Sequence, residues 1–325
     1  MPYMKGYESA IKKDGSLLIV WDRFNVEDSE SNVIVYRDGK IGMQRTLLDY
    51  IKFSLFVFFR APVPTSSVIF FGTPVFLFCC LKFMFVKNLY LDVRDWHPSW
   101  RYVPGFFKNR LSKVFISSHK FSQLLDVSDD KIVISHNCWS DYSPGKPIDV
   151  SGVIKISYIG AIRDAELNLA LINSLKGCSN IELIYNGDGV SVDRIEKEII
   201  DKSIKNVKVT GRYDPGCEHE LYCKSTMINS LVSPFDINSR ALLTNRLYNA
   251  VLSSRPLLVL RGTYLSEVVE EYGLGLIVDG FDNLDFLIKS YFKCFDPQEF
   301  QKSCEKFFSV VSSDMNKFYS SVDAI

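Results

Sequence analysis

The 325-residue chain has no surplus of charge of either sign, since 38 Lys and Arg stand against 38 Asp and Glu. A dedicated nucleic-acid binder needs a basic excess to neutralise phosphates, so that class is not indicated. The eight cysteines are scattered, without a CxxC pair or a Cys/His cluster at zinc-ligand spacing. A disulfide framework or structural metal is therefore not expected, and a reducing compartment fits. The opening residues MPYMKGYESAIKKDG lack the apolar core of a secretion signal, and the expected location is cytoplasmic. No internal repeat or low-complexity run is present. The stretch from Ser67 to Phe85 has the length of a membrane span, yet Gly72 and Pro74 interrupt it and Lys82 lies inside it. A buried strand followed by a buried helix is the favoured reading.

What the chain does have is apolar material: 47% of its residues are hydrophobic and 14% aromatic, enough for two α/β cores at this length. Ser16 to Trp21 and Val33 to Tyr36 read as buried strands at the start of an α/β sheet. Leu47 to Phe59 is helical in length, Val68 to Phe71 a strand, Pro74 to Lys87 a helix, and Leu89 to Val93 a strand ending at Arg94, Asp95 and Trp96. Val114 to Ser117 and Ile132 to Ser135 add two strands. This rhythm is that of a doubly wound parallel sheet. The Pro-, Gly- and Ser-rich segment from Asp141 to Gly152 is the best boundary, placing an N-terminal domain at 1–145. After it the rhythm restarts: strands are expected at 154–159, 181–185, 207–209, 227–231, 257–260 and 275–278. Helices are expected at 168–175 and through Val192, Ile195 and Ile199, whose spacing gives one apolar face. A second Rossmann-like domain thus covers 146–300, and the tail from Gln298 to Ser321 reads as one or two helices.

In open parallel sheets, ligands bind beyond the carboxyl ends of the strands, and two such sheets facing each other would share a central cleft. Three strand-to-helix turns of the second half have the chemistry for a nucleotide diphosphate. Gly160 leads into Arg163, Gly187 and Gly189 follow LIY, and Gly211 and Arg212 follow VKVT. Backbone N–H groups and guanidinium ions suit phosphate oxygens. Each turn alone is an ordinary glycine turn, and the repetition carries the weight. The segment DINSRALLTNRLYNAVLSSRPLLV, from Asp236 to Val259, reads as a loop, a helix whose first turn carries Thr244, Asn245 and Arg246, and a strand. Such a helix start can cap itself and present positive potential to an anion.

The run Thr244, Asn245, Arg246, Leu247, Tyr248, Asn249, Ala250 resembles the Pro-Asn-Lys-Leu-Phe-Glu-Tyr-like helix under the donor nucleotide in glycosyltransferase family 4 and similar bacterial capsule and O-antigen transferases. SRPLLVL and EYGLGLIVD resemble the strands that follow that helix. In the first half, LDVRDWHP (Leu91 to Pro98), KVFISSHKFSQLL and KIVISHN are similar to acceptor-side segments of the family, more loosely. The resemblance spans about residues 66 to 280. It implies a GT-B fold, anomeric retention, no metal and no cofactor beyond a UDP- or GDP-linked sugar donor. It also implies a last helix, 301–325, returning to the first domain. Family members carry two glutamates eight positions apart, the second gripping the donor ribose; here those positions hold Ala241 and Asn249. No carboxylate remains there, although Asn249 can still hydrogen-bond a ribose hydroxyl.

The donor set is then Gly160, Gly187, Gly189, Gly211, Arg212, Arg240, Asn245, Tyr248 and Asn249. Arg163 and Arg246 would meet the charge of the leaving diphosphate, with a surface ion pair as the alternative for each. Asp95 and His97, at a strand end, would contact the acceptor; the alternative is a helix cap and a polar rim. His136 reads as structural, Cys79 and Cys80 as core, and Trp96, Trp100 and Trp139 either as sugar platforms or as packing residues. Ten basic residues against Asp92 and Asp95 lie between Tyr50 and Leu125. With the Phe-rich helices, that patch suits an anionic membrane surface, where each basic residue contributes on the order of 1 kcal/mol; a solvated face is the alternative. The expected activity is sugar transfer to a polyprenol-linked oligosaccharide at the inner face of the membrane, without nucleic-acid partners. The rival readings are a UDP-sugar 2-epimerase and a non-catalytic GT-B scaffold subunit.

Overall fold

The structure, a computed structural model, describes residues 2–27, 32–41, 45–63, 65–138, 145, 148 and 152–325. Trp139 and most of the expected linker from Asp141 to Gly152 lie outside the described residues. Two compact units form, one from Met1–Trp139 with Ser313–Ile325, the other from Ser140–Ser312.

In the first unit, β1 (Leu18–Trp21) and β2 (Val33–Tyr36) pair in parallel, and β3 (Ser67–Phe71), β4 (Asn88–Val93), β5 (Lys113–Ile116) and β6 (Ile132–Ile134) form a separate parallel sheet in chain order. Leu89, Leu91 and Val93 of β4 and Val114, Phe115 and Ile116 of β5 are all buried, as the near-continuous apolar runs of covered parallel strands require. Tyr7, Phe115 and Phe318 meet edge to face at 5.2 to 5.7 Å, joining the chain's beginning and its last helix to this core.

Two expectations change here. β1 and β2 do not open the main sheet; among the described residues they pair only with each other, and β2 is half-buried throughout. Their anchor is the helix Leu47–Arg60, on whose Phe53 ring Trp21 stacks at 5.0 Å. The helix expected over 74–87 ends early, spanning Thr73–Cys79. Beyond it Lys82, Met84 and Val86 donate to carbonyls three residues back, and Lys82 Nζ reaches the Phe58 and Ala61 carbonyls that end the neighbouring helix. Those contacts favour tight turns over another helical turn.

The second unit has one six-stranded parallel sheet, built from β7 (Ile154–Ile159), β8 (Ile181–Asn186), β9 (Val207–Gly211), β10 (Met227–Asn229), β11 (Leu257–Leu260) and β12 (Gly275–Val278). Its order is β12-β11-β10-β7-β8-β9, so the winding reverses between β7 and β10. This is the Rossmann order, with its ligand crevice expected at the reversal. Ile156, Leu171, Leu183, Ile195, Met227 and Leu258 lie in its core. The tail forms one helix, Pro297–Asp323.

Candidate functional site

At the reversal, β7 runs into Gly160, whose φ of 115° few other residues adopt. The Gly160 and Ile162 N–H groups donate to Asn186 and Asp188 carbonyls at 3.0 and 2.9 Å, and Gly187 N–H donates to the Gly211 carbonyl at 2.8 Å. The three turns thus extend the sheet ladder past the strands. A Cβ on Gly187 would lie 2.0 Å from the Gly160 carbonyl oxygen, and one on Gly189 would lie 2.3 Å from that of Ile162. Close packing of turn on turn therefore demands glycine at both places. The turn bearing Arg163 is pinned by Asn168, whose Nδ2 donates to the Arg163 and Asp164 carbonyls at 2.6 and 3.1 Å and whose Oδ1 accepts from Asn229 of β10 at 3.3 Å. Arg163 itself is exposed and makes no ion pair among the described residues.

Across the reversal, the helix Asn245–Leu252 begins at Thr244. The Thr244 side chain does not cap it; Oγ1 meets Ser230 Oγ, just beyond β10, at 2.8 Å. That bond ties the helix start to the sheet. Two residues on from Thr244, the Arg246 guanidinium lies over the Tyr158 ring at 4.1 Å, and its Nε is buried without a hydrogen-bond partner among the described residues. A desolvated, unmet donor on a permanent cation is costly unless an anion completes it. Tyr158, from β7, is held by its hydroxyl on the Ala161 carbonyl at 2.9 Å. Arg246 is thereby brought to the end of the strand that leads into Gly160 and Arg163.

The other expected donor residues divide. Arg240, in the helix Ile237–Ala241, is exposed without an ion pair among the described residues, and Asn245 is exposed. Arg212 is engaged by Asp188 at 2.7 Å, a pair that holds the Asp188 carboxyl below its ordinary range. Tyr248 is 1% exposed and packs near Phe307, so it faces the core. Asn249 Nδ2 donates to Glu218 Oε1 at 3.0 Å. Glu218 opens the short helix Glu218–Cys223, and the sequence carries no signal for it beyond its place after the turn that follows β9. The resemblance points to positions 241 and 249 for carboxylates, and the fold instead brings one to Asn249 from another helix. Burial raises the pKa of Glu218, opposed by the Asn249 bond. Tyr213 is pushed up to about 12, by burial and then by Glu218, with Arg246 opposing.

In the first unit, Asp95 is exposed and His97 half-buried in the segment after β4. His97 Nδ1 accepts from Ser99 N–H at 3.1 Å and meets Ser99 Oγ at 2.8 Å, capping a short helix, while burial lowers its pKa. A charged group to which the sequence assigned no role is buried Asp92, which accepts from Tyr7 at 2.5 Å and from Arg94 Nε and Nη2 at 2.7 Å. Arg94 also holds the Ser135 carbonyl at 2.8 Å and Asn137 Oδ1 at 3.1 Å. Trp100 is 2% exposed and belongs to the core, as do Cys79 and Cys80. His136 is buried against Asp314 at 3.3 Å. Among the described residues no helix is long and apolar enough to cross a membrane, and no group of three or more His, Cys, Asp or Glu is placed to hold a metal ion.

No protein-family model and no curated protein matches the sequence. Solved structures do match the fold. HepE of Anabaena in complex with UDP superposes with a TM-score of 0.65 at 13% identity, covering 90% of this chain and 86% of its own. Sucrose-phosphate synthase of Thermosynechococcus elongatus gives 0.67 at 12%, covering 98% and 88%. A glycosyltransferase of Rickettsia africae gives 0.63 at 13%, covering 98% and 92%. HepE has also been solved with UDP-glucose. The chain has the GT-B fold.

Proposed function

We propose that the protein is a retaining glycosyltransferase that moves a sugar from a UDP- or GDP-linked donor to a polyprenol-linked oligosaccharide in bacterial surface polysaccharide synthesis, such as capsule or O-antigen. The carrying observation is Arg246, stacked on Tyr158 with a buried donor unmet, beside the turn of exposed Arg163. A diphosphate supplies the missing acceptor. As the sugar leaves, charge grows on that diphosphate, and preorganised cations are most effective where charge develops. The diphosphate oxygen would in turn help deprotonate the incoming hydroxyl, and Asp95 and His97 are the proposed acceptor contacts. The fold neighbours bound to UDP and UDP-glucose support this reading.

The acceptor assignment rests on the surface of the first unit. Leu48, Lys52, Leu55 and Phe59 recur at helical spacing on an exposed face of Leu47–Arg60, and Leu81 and Phe85 are 69% and 87% exposed nearby in sequence to Lys82 and Lys87. Apolar side chains ringed by lysine suit the interface of an anionic leaflet, where a polyprenol acceptor lies. The protein would work there as a peripheral protein on the cytoplasmic side.

Purified protein incubated with a panel of UDP- and GDP-sugars tests the activity. Thermal stabilisation and slow hydrolysis with one donor are expected. Conversion of the donor without an acceptor would mark the epimerase instead, and silence across the panel would leave the scaffold subunit.

A further inference from the structure

Glu218 and Arg246 both act on Tyr213 and Tyr222, so one cation and one carboxylate share a neighbourhood at the carboxyl ends of β7 and β9. They do not pair with each other. Glu218 is half-buried and makes no ion pair among the described residues; the one hydrogen bond to its carboxylate there is from the Asn249 amide at 3.0 Å. An ionised carboxylate accepts at about four lone-pair positions, and partial burial makes the positions left without a protein donor less well met by water. Burial accordingly raises its pKa. Such a group repels phosphate and attracts hydroxyl donors, and its two oxygens match the spacing of two adjacent O–H groups.

We propose that Glu218, held in place by Asn249, is a specificity residue that accepts hydrogen bonds from a vicinal diol of the nucleotide sugar while Arg246 faces its diphosphate. This rests on the donor reading above. Two parts of such a ligand carry vicinal diols, the ribose and the transferred hexose. Asn249 supplies the geometry: its amide occupies Oε1 from one side and leaves Oε2 open. Charge-assisted hydrogen bonds of this kind are worth about 1.5–3 kcal/mol, which converts to a preference of roughly 10- to 150-fold for the hydroxylated ligand.

The test is calorimetric titration of the full chain, wild type and Glu218→Gln, with UDP, 2′-deoxy-UDP, UDP-glucose and UDP-2-deoxyglucose, and with the guanosine series in parallel. The expected result is that the wild type prefers one hydroxylated partner within a pair by tenfold or more and that Glu218→Gln binds both members of that pair alike. Collapse of the UDP against 2′-deoxy-UDP preference assigns the diol to ribose; collapse of the second assigns it to the hexose. Asn249→Ala, which keeps the carboxylate and removes its anchor, should narrow the same preference, and it decides the matter if Glu218→Gln does not fold. A wild type that binds UDP without discriminating, or variants that keep the full preference, overturn the role of Glu218 alone. A wild type that binds no nucleotide of either series overturns the donor reading beneath it.

Discussion

Both units end parallel strands in arginine-bearing segments, and they treat those arginines oppositely. In the first, Arg94 is fully engaged by Asp92, Ser135 and Asn137. In the second, Arg246 lies on an aromatic ring with a buried donor unmet, and Arg163 has no counter-ion among the described residues. The sheets differ in the same sense: the four-stranded sheet runs in chain order, and the six-stranded sheet reverses between β7 and β10. A satisfied cation at a strand end is architecture. On the proposed reading, an unsatisfied one at a winding reversal is where an anion would bind.

Substitutions at the two arginine networks should therefore separate stability from binding. Asp92→Asn leaves Arg94 buried without its counter-charge and weakens the acceptor for Tyr7, a loss of about 3 kcal/mol or more. All four tryptophans lie within residues 1–139, so their emission during urea unfolding reports the first unit directly. The expected outcome is a lower midpoint with unchanged UDP affinity; an equal loss in UDP binding would erase the contrast. Arg246→Ala should do the reverse, weakening UDP by about 2 kcal/mol, or roughly thirtyfold in Kd by calorimetry, with the tryptophan midpoint unmoved. Arg246→Lys should recover little, because an ammonium keeps the charge and loses the planar stack and fork.

The surfaces contrast as well. Phe59 and Phe85 are 79% and 87% exposed, and burying a phenylalanine in an apolar phase is worth about 1.5–3 kcal/mol. Phe59→Asp and Phe85→Asp should each lower partitioning onto phosphatidylglycerol vesicles by about tenfold in a sedimentation assay. If both sediment like the wild type, or the wild type ignores anionic vesicles, the apolar face is not a membrane surface.

Legibility in the sequence followed the range of the forces involved. β11 begins and ends where its apolar run does, because a buried parallel strand writes itself as consecutive β-branched and aliphatic residues; β7 was legible from its isoleucines despite exposed Lys155, and β12 from its Leu-Ile-Val run. The pairing of β1 with β2 alone was not legible, since it depends on Trp21 finding Phe53 more than thirty residues away. Gly187 and Gly189 stood out as turn glycines, but the carbonyls that exclude a side chain there belong to another turn. Thr244 was readable as a helix start and its bond to Ser230 was not. Glu218 had no motif at all; its proposed role emerges only when folding sets it against Asn249, thirty-one positions on.

The smallest expected effect concerns protons, and it too falls in the first unit. His136 is buried beside Asp314, with His119 and Arg94 also acting on it. Burial lowers its pKa more than Asp314 raises it. Burial would raise Asp314, but hydrogen bonds from His119, His136 and Lys317 outweigh this and hold its carboxyl well below the usual range. Below about pH 6.5 the unfolded chain therefore takes a proton that folded His136 refuses, and stability falls with pH until the lowered folded pKa is passed. Asp314 stays ionised in that window, so its contribution is lost only in stronger acid. Half-buried His97, also lowered by burial, adds in the same direction. The tryptophan-reported urea midpoint should decline between pH 7 and pH 5, and His136→Gln should flatten the decline to the part left by His97. A midpoint that rises in this interval would mean that Asp314 holds the imidazole protonated and that this helix anchor is an ion pair, whereas a slope that His136→Gln leaves unchanged would mean that His136 does not carry the pH dependence.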